Sequence, residues 1–270
     1  MGLILCENKR AKNPLYIESL GIRLYTLEEL CYVIYNYPLL IIKNFVNERL
    51  FSFLVYDLDI GLNALLLERR SKENEYDADV LISILSFSDY YSTQEIEKYK
   101  AVLNQFFELP RFELYDRIGR AYFENGSFGK ALDFFNKSLA YSEGLKIEIE
   151  KPLKIKLHKA DAYANLFEFT KAFELYKEIF EANQDNEILK KIYFLSKFDN
   201  NVSNREDYIN YLDDRVNGSW DNSFQELMDS AAECDESKEF LQSMNSDSFK
   251  RQKLINENIN RIKIKYRTMV

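Results

Sequence analysis

Apolar residues recur along most of this chain at the three- and four-residue spacing of amphipathic helices. Between residues 15 and 25, apolar and polar side chains alternate instead, which predicts two short strands with a turn near Gly21. The helical spacing predicts helices over residues 27–37, 43–55, 62–70 and 78–87, and a further helix that ends before Pro110. The N-terminal region is therefore expected to be mostly helical, with one short β-hairpin.

Two of these helix starts carry a capping-box spacing. Thr26 is followed three residues later by Glu29, and Ser92 is followed at the same distance by Glu95. In such a box the hydroxyl oxygen accepts a hydrogen bond from the glutamate's backbone N–H, and the carboxylate accepts one from the N–H of the capping residue. We therefore expect helices to begin just after Thr26 and Ser92, and the first of them to stop at Pro38.

A helical hairpin is indicated by the stretch RIGRAYFENGSFGKALDFFNKSLAY, residues 117–141. Gly119 and Tyr122 lie in its first helical pattern, and Ala131 and Phe135 lie in its second. Small residues at positions 119 and 131 permit two helices to approach closely, and the aromatic rings fill the space between helices. Gly126 supports the turn between the two helices.

The same spacing occurs a second time. Ala160 and Tyr163 are followed by Ala172 and Tyr176, and each lies 41 residues after its counterpart in the first copy. In both copies the small residue of the first helix lies 12 positions before the alanine of the second. This agreement predicts two copies of one helical unit, the best-matching parts being residues 111–141 and 153–181.

The repeated pattern resembles the tetratricopeptide repeat (TPR), in which W-x2-L-G-x2-Y and then A-x3-F recur over about 34 residues. The second copy departs from it, because Lys156 and Lys159 stand where the family has tryptophan and leucine. The resemblance implies an all-α chain whose repeats form an α–α superhelix, or solenoid. The stretch IRLYTLEELCYVIYN is also similar to segments that precede such repeats in proteins of low-GC Gram-positive bacteria.

The resulting domain division has three parts. Residues 1–92 form the mostly helical N-terminal region, and residues 93–216 hold the TPR-like helical repeats. Within the repeats, residues 187–198 and 205–216 indicate a third, degenerate hairpin joined by the polar loop DNNVSN. The remaining part is a helical C-terminal region.

That C-terminal region, residues 217–270, is expected to contain at least two helices. The capping-box spacing of Ser223 and Glu226 predicts one helix, and residues 248–266 predict another with an apolar face. Because a solenoid needs a terminal element over its last apolar face, we expect the final helix to cover it. Its basic charge leaves a second interpretation open, in which it docks an acidic protein or an anionic surface.

Composition narrows the classes of function. The chain has 270 residues, a net charge of −8, three cysteines and one histidine, His158. Residues 247–270 hold seven Lys or Arg and two acids, a local charge of +5 that leaves about −13 for the rest. An acidic body argues against nucleic-acid binding, and no run approaches the roughly 20 apolar residues that span a bilayer. We expect a cytoplasmic protein that binds neither nucleic acid nor membrane.

The sequence carries no pattern of a catalytic or metal site. Ser–His–Asp and Cys–His mechanisms both need a histidine, and His158 lies among lysines with no serine or cysteine motif beside it. The three cysteines are scattered and form no Cys-x-x-Cys pair. We therefore expect a protein that is not an enzyme and holds no cofactor or metal.

The TPR resemblance implies which residues face a partner. In TPR domains the first helix of each repeat lines a concave groove, where charged residues pair with a ligand and apolar residues hold an apolar anchor. The implied groove residues are Glu113, Asp116, Arg120 and Phe123 in the first copy, and Lys154, Leu157, Asp161 and Asn165 in the second.

The leading prediction is a non-catalytic adaptor that binds a protein segment in this groove. The alternative is a regulatory sensor whose repeats bind a short signalling peptide and control an effector protein. In both cases the partner is a protein or peptide. The sequence leaves the oligomeric state open, although an exposed apolar face at either end of the solenoid would support a dimer.

Overall fold

The computed structural model describes residues 10–41, 45–72, 77–203, 218–245 and 248–270. The chain divides into two compact units, Met1–Asn125 and Gly126–Val270. Most of the described residues are helical, and a two-stranded antiparallel sheet lies in the first unit. The mainly helical fold class is confirmed, whereas the solenoid and the three-part domain division stay predictions.

The β-hairpin lies where the alternating pattern predicts it. Strand β1 (Leu15–Ile17) pairs antiparallel with β2 (Ile22–Leu24), so that Ile17 faces Ile22 across the ladder. Gly21 in the turn has a φ of +68°, a conformation that glycine adopts without the steric cost of a Cβ. Ile17 and Leu24 are buried, so one face of the hairpin packs into the core of the first unit.

The helices of the first unit also follow the predicted order. The helix predicted over residues 43–55 begins later than expected, because Asn47 caps it by accepting a hydrogen bond from the N–H of Arg49 (3.0 Å). This helix continues as a π-helical turn, Phe53–Asp57, and residues 43 and 44 lie outside the described residues. The helices are α1 (Leu27–Asn36), α2 (Pro38–Ile41), α3 (Glu48–Ser52), α4 (Leu62–Lys72), α5 (Asp77–Leu85), α6 (Thr93–Glu108) and α7 (Arg111–Glu124).

Both predicted capping boxes in this unit are confirmed. At the start of α1, the N–H of Glu29 donates to Thr26 Oγ1 (3.1 Å) and the N–H of Thr26 donates to Glu29 Oε2 (3.3 Å). At the start of α6, the N–H of Glu95 donates to Ser92 Oγ (3.4 Å) and the N–H of Ser92 donates to Glu95 Oε2 (2.8 Å). Helix α1 ends before Pro38 as predicted, and Pro38 begins α2 because proline is tolerated in the first turn of a helix.

A tyrosine cluster connects α1 to α6. The ring of Tyr35 stacks on Tyr91 with centroids 4.2 Å apart, and on Tyr99 at 5.6 Å. Burial raises the pKa of Tyr91 to about 12 and also raises the pKa of Tyr99. These hydroxyls therefore stay neutral at physiological pH and act as core-packing groups.

The second unit begins with a stack of four helices: α8 (Phe128–Ser142), α9 (Glu150–Asn165), α10 (Phe169–Asn183) and α11 (Asn186–Phe198). Each packs against the next along the chain. Ala160 on α9 and Ala172 on α10 are fully buried, together with Phe173, Tyr176 and Phe180. The packing roles predicted for the second copy are therefore confirmed.

The first predicted hairpin falls across the division between the units. Helix α7 belongs to the first unit and α8 to the second, and Gly126 follows α7 with a φ of +75°. Ala131 and Phe135 on α8 are fully buried, as expected of packing residues. The pairing of α7 with α8 as one repeat stays a prediction.

After α11 the chain departs from the predicted pattern. The expected polar loop contains a short helix, α12 (Asn200–Ser203), because Asp199 Oδ1 accepts a hydrogen bond from the N–H of Asn201 (2.9 Å). The helix predicted over residues 205–216 lies outside the described residues. Helix α13 (Gly218–Ala232) starts before Ser223, whose Oγ donates to the carbonyl of Ser219 (2.9 Å), so the cap predicted at Ser223 is wrong.

The last two helices are α14 (Asp235–Met244) and α15 (Ser248–Met269). The apolar face predicted for the final helix stays largely open, since Ile262 is 62% exposed and Tyr266 is 42% exposed. The end of the helix does reach α8, where the carbonyl oxygen of Val270 lies so close to Gly129 that it leaves no room for a Cβ. The final helix therefore touches the stack without burying the face that a covering helix would bury.

Replacing Ser92 with alanine should lower the free energy of unfolding by about 1 kcal/mol, because the N–H of Glu95 loses its acceptor. The Ser92→Thr variant retains a hydroxyl and should lose clearly less. Urea unfolding followed by circular dichroism measures both variants. Equal losses in the two would contradict the capping role of the hydroxyl.

Candidate protein-binding surface

The first set of predicted groove residues lies on α7 in the first unit. Asp116 and Arg120 are one helical turn apart, and Arg120 Nε lies 3.2 Å from Asp116 Oδ2. Glu113 and Phe123 are half-buried. The structure thus places the four residues on one helix, with the charge of Arg120 already balanced by its own neighbour.

The second set lies on α9 in the second unit. Lys154 is exposed, whereas Leu157 packs against the helical core. Asp161 Oδ1 accepts a hydrogen bond from the hydroxyl of Tyr176 (2.5 Å), and Asn165 Nδ2 donates to the carbonyl of Asp161 (2.8 Å). Leu157 and Asp161 therefore serve the packing of this unit, and the assignment of the groove to a partner stays a prediction.

Asp161 connects three helices of the second unit. Tyr176 donates to it from α10, and the ammonium of Lys191 on α11 pairs with the same carboxylate oxygen. Burial first, and then the negative charge of Asp161, raise the pKa of Tyr176, so its hydroxyl keeps the proton that it donates. Such an interaction fixes the register of neighbouring helices, because a buried hydroxyl without a partner is costly.

A second surface, which the groove assignment did not include, is made of aromatic rings. It runs from the turn between α9 and α10 across the end of α11 to α13. Successive ring centroids lie between 5.4 and 6.2 Å apart, in edge-to-face, tilted and stacked arrangements. We define this aromatic row, in order of contact, as Phe167, Phe169, Phe198, Phe224, Phe194, Tyr193 and Trp220.

Burial differs along the aromatic row. Phe167 is 68% exposed and Phe198 is 57% exposed, while Tyr193 at the other end is buried. Phe169 and Trp220 pack against the helical core and are half-buried. The row is therefore an aromatic surface that is buried in the core towards one end and open to solvent at the other.

The backbone of Phe167 is held in the left-handed region, with a φ of +62°. The N–H of Glu168 donates to the carbonyl of Tyr163 (3.0 Å), and that of Phe167 donates to the carbonyl of Ala164 (3.1 Å), which ends α9 in a Schellman motif. Glycine usually fills the left-handed position of this motif, since any Cβ there costs roughly 1 kcal/mol or more. Phe167 therefore presents its ring to solvent from a strained backbone.

The equivalent position in the first copy is a glycine. Gly126 lies 41 residues before Phe167 and has a φ of +75°. Within the described part of the chain, no atom beyond its chain neighbours lies within 4 Å of the position that a Cβ on Gly126 would take, so the backbone conformation is what disfavours a side chain there. Strained residues are concentrated at functional sites, and this contrast between the copies makes Phe167 the strongest candidate for contact with a ligand.

Lysines border the aromatic row. Lys190 Nζ lies 5.6 Å from the ring centroid of Phe194, and Lys197 Nζ lies 4.6 Å from that of Tyr193. Hydrogen bonds to Tyr193 and then to Asp221 raise the pKa of Lys197, so it stays charged at neutral pH. Lys190 thus supplies positive charge at the border of the row, whereas the charge of Lys197 is paired with Asp221 at 3.0 Å.

His158 and Cys31 are both placed for packing. The ring of His158 lies 5.7 Å from that of the buried Phe135. Cys31 is fully buried, and burial raises the pKa of its thiol to about 11, the opposite of the shift that activates a nucleophile. Among the described residues, no group of three or more His, Cys, Asp or Glu is arranged to hold a metal ion.

The first unit also contains an open cavity of about 610 Å³. It lies between the β-hairpin and α1, and Tyr32, Tyr37 and Tyr90 contribute to its wall. The carboxylate of Glu29 in the wall is engaged in the capping box of α1. The lining residues include neither histidine nor cysteine, and the cavity offers apolar and hydroxyl contacts together with the charges of Arg23 and Glu28.

Two further findings concern membrane insertion and the relationship of the chain to other proteins. Within the described part of the chain, no helix is both long enough and apolar enough to cross a bilayer. A scan against protein-family models, a search of curated proteins and a search of solved structures found no match to the chain. The resemblance to tetratricopeptide repeats therefore rests on the motif residues themselves.

Comparing glycine with alanine at position 167 isolates the backbone strain, because both variants remove the ring. Phe167→Gly should be more stable than Phe167→Ala by about 1 kcal/mol, since only glycine adopts the left-handed conformation freely. Thermal and urea unfolding measure this difference. Equal stability of the two variants would show that the turn stores no strain at this position.

The two described cysteines should differ sharply in reactivity. At pH 8, a thiol with a pKa near 11 is thiolate in about one molecule in a thousand, against roughly a quarter for an ordinary thiol. In a Cys6→Ser variant, iodoacetamide should therefore modify the exposed Cys234 quickly and Cys31 only after unfolding. Mass spectrometry of the labelled peptides gives both rates, and rapid labelling of native Cys31 would contradict its burial.

Proposed function

We propose that the protein is a non-catalytic adaptor that binds a segment of another protein on the aromatic row, with its helices arranged as a TPR-type solenoid. One observation carries the proposal: Phe167 occupies, at a cost in backbone strain, the turn position that is glycine in the other copy. A strained and exposed aromatic side chain contributes little to the fold. We attribute the phenylalanine at this position to contact with a ligand.

The chemistry of the surface defines the segment that it binds. Large aromatic rings supply most of the binding energy in protein interfaces, because they bury much apolar area with few rotatable bonds. The exposed rings of Phe167 and Phe198 therefore receive apolar side chains of the segment. Lys190 lies beside the ring of Phe194, further along the row, so an acidic residue of the segment completes the contact there. The charge of Lys197, beside Tyr193, is already paired with Asp221.

The rigid end of the row favours binding without rearrangement of the scaffold. Phe169 and Trp220 pack against the same core as Phe173, so the surface is preformed in the unbound chain. Preformed surfaces avoid the entropic cost of ordering side chains on binding. The groove residues of α7, including Arg120 and Phe123, form the competing site predicted from the sequence.

The chain provides its own reporter for this test. Trp220 is the single tryptophan, and its ring lies 5.6 Å from that of Tyr193 at the inner end of the row. A display library of short segments, with apolar and acidic residues enriched, is selected on the purified chain. Dissociation constants of the selected segments are then measured from the change in tryptophan fluorescence, which reports directly on the aromatic row.

The double variant Phe167→Gly/Phe198→Ala should raise the dissociation constant at least about tenfold, which corresponds to roughly 1.4 kcal/mol. The matched control is Phe107→Ala, which removes a 53% exposed ring in the first unit and should leave binding unchanged. Retained binding by the row variant would overturn the proposal. If Arg120→Glu/Phe123→Ala abolishes binding while the row variant retains it, the groove on α7 is the site.

A further inference from the structure

The three C-terminal helices, α13 to α15, are not folded around a core of their own. Every residue of these helices whose burial is described is exposed or half-buried, although the helices carry many large apolar side chains. Apolar patches this extensive are unusual on a protein that is alone in solution, and they mark interaction surfaces. Those that are more than 40% exposed include Leu227, Phe240, Leu241, Ile259, Ile262 and Ile264.

The apolar surface continues around α15 and is not confined to one stripe. Ile262 and Ile264 are both 62% exposed, and residues two apart on a helix point to nearly opposite sides. Only one side of α15 can face α14, its neighbour in the chain. The other side remains available to a second partner.

Charge identifies a partner that fits. Residues 218–245, which hold α13 and α14, contain seven acids and one lysine, whereas α15 contains seven Lys or Arg and one glutamate. The C-terminal helices are therefore acidic in their first part and basic in their second, with equal and opposite net charge. A surface of this kind is complementary to a second copy of itself.

The contacts within one chain show how the opposite charges meet. Arg261 Nη2 lies 2.7 Å from Glu239 Oε2, and Lys265 Nζ lies 3.8 Å from Glu236 Oε1. All four side chains remain more than half exposed, so these pairs are weak within a single chain. The same charges are accessible to a neighbouring molecule.

An anionic membrane or a nucleic acid fits this surface less well. Either one would attract α15 but would meet the acidic helix α14 directly beside it. A helix that lies on a membrane also keeps its apolar residues on one face, which Ile262 and Ile264 do not.

We propose that α13 to α15 form a two-fold symmetric dimer, in which the basic α15 of each copy packs on the acidic α13 and α14 of the other. A two-fold interface uses the same patch on both copies, so complementary charges within one patch satisfy it twice. The exposed isoleucines of α15 are then covered by the apolar residues of α13 and α14. This inference does not rest on the protein segment that the aromatic row binds, although α13 also carries Phe224 and Trp220 of that row.

The mass of the full chain in solution gives the first test. Sedimentation velocity and light scattering should show a species of twice the 32.1 kDa chain, whose fraction rises with concentration and falls with added salt. A chain that stays monomeric at about 100 μM, where a dimer with a dissociation constant of about 1 μM would be largely formed, would overturn the proposal. So would a monomer that binds vesicles containing phosphatidylserine.

Charge-reversed chains separate contacts between copies from contacts within one chain. The variants Arg261→Glu/Lys265→Glu and Glu236→Lys/Glu239→Lys each place like charges together, and each alone should be monomeric. Mixing them restores both attractive contacts of a two-fold dimer, so a heterodimer should form. Contacts made only within a chain are not restored by mixing, and a mixture that stays monomeric contradicts the dimer.

A charge reversal elsewhere serves as the control. Lys98→Glu/Lys100→Glu changes two exposed lysines of α6 and should dimerise like the original chain. Circular dichroism of each variant before mixing confirms its helical content. If a reversed variant fails to fold alone, recovery of both helical signal and dimer mass on mixing still supports the proposal, and no recovery contradicts it.

Discussion

The close packing of α9 and α10 determines the geometry of the second unit. Ala160 and Ala172 are fully buried in the core between these helices, where a larger side chain would force them apart. This approach buries Phe173 and Tyr176 and determines how the chain turns from one helix into the next. The orientation of Phe167 in that turn depends on the methyl side chains of Ala160 and Ala172 in the core. The start of the aromatic row therefore depends on them as well.

A polar interaction adds directional control to this apolar packing. Asp161 accepts hydrogen bonds from Tyr176 on α10 and from Lys191 on α11, so sliding one helix along another would leave a buried hydroxyl without an acceptor. Apolar contacts alone tolerate small shifts, whereas this arrangement does not. The position of α11 determines where Phe198 lies. It therefore also determines the spacing of the rings at the exposed end of the row.

The features predicted correctly from the sequence are those that depend on neighbouring residues. The capping boxes at Thr26 and Ser92 and the small residues Ala160 and Ala172 are local signals, and each is present in the structure. Ser223 shows the limit of such signals: its spacing to Glu226 is that of a capping box, but the helix starts earlier and the hydroxyl donates to the carbonyl of Ser219, one turn before it.

The aromatic row joins residues that are as many as 57 positions apart, 167 to 224, so no local pattern reports it. One clue was present, because aligning the two copies places Phe167 opposite Gly126.

The side-chain position at residue 126, in the turn after α7, is uncoupled from the core. Among the described residues no atom lies near the position of a Cβ on Gly126, so the steric cost of a side chain comes from the backbone and is much the same for leucine, lysine or phenylalanine. A position of this kind can change its chemistry without disturbing the packing beneath it. The helical scaffold and its recognition properties can therefore diverge separately, which makes the turn a natural place to re-engineer what the surface binds.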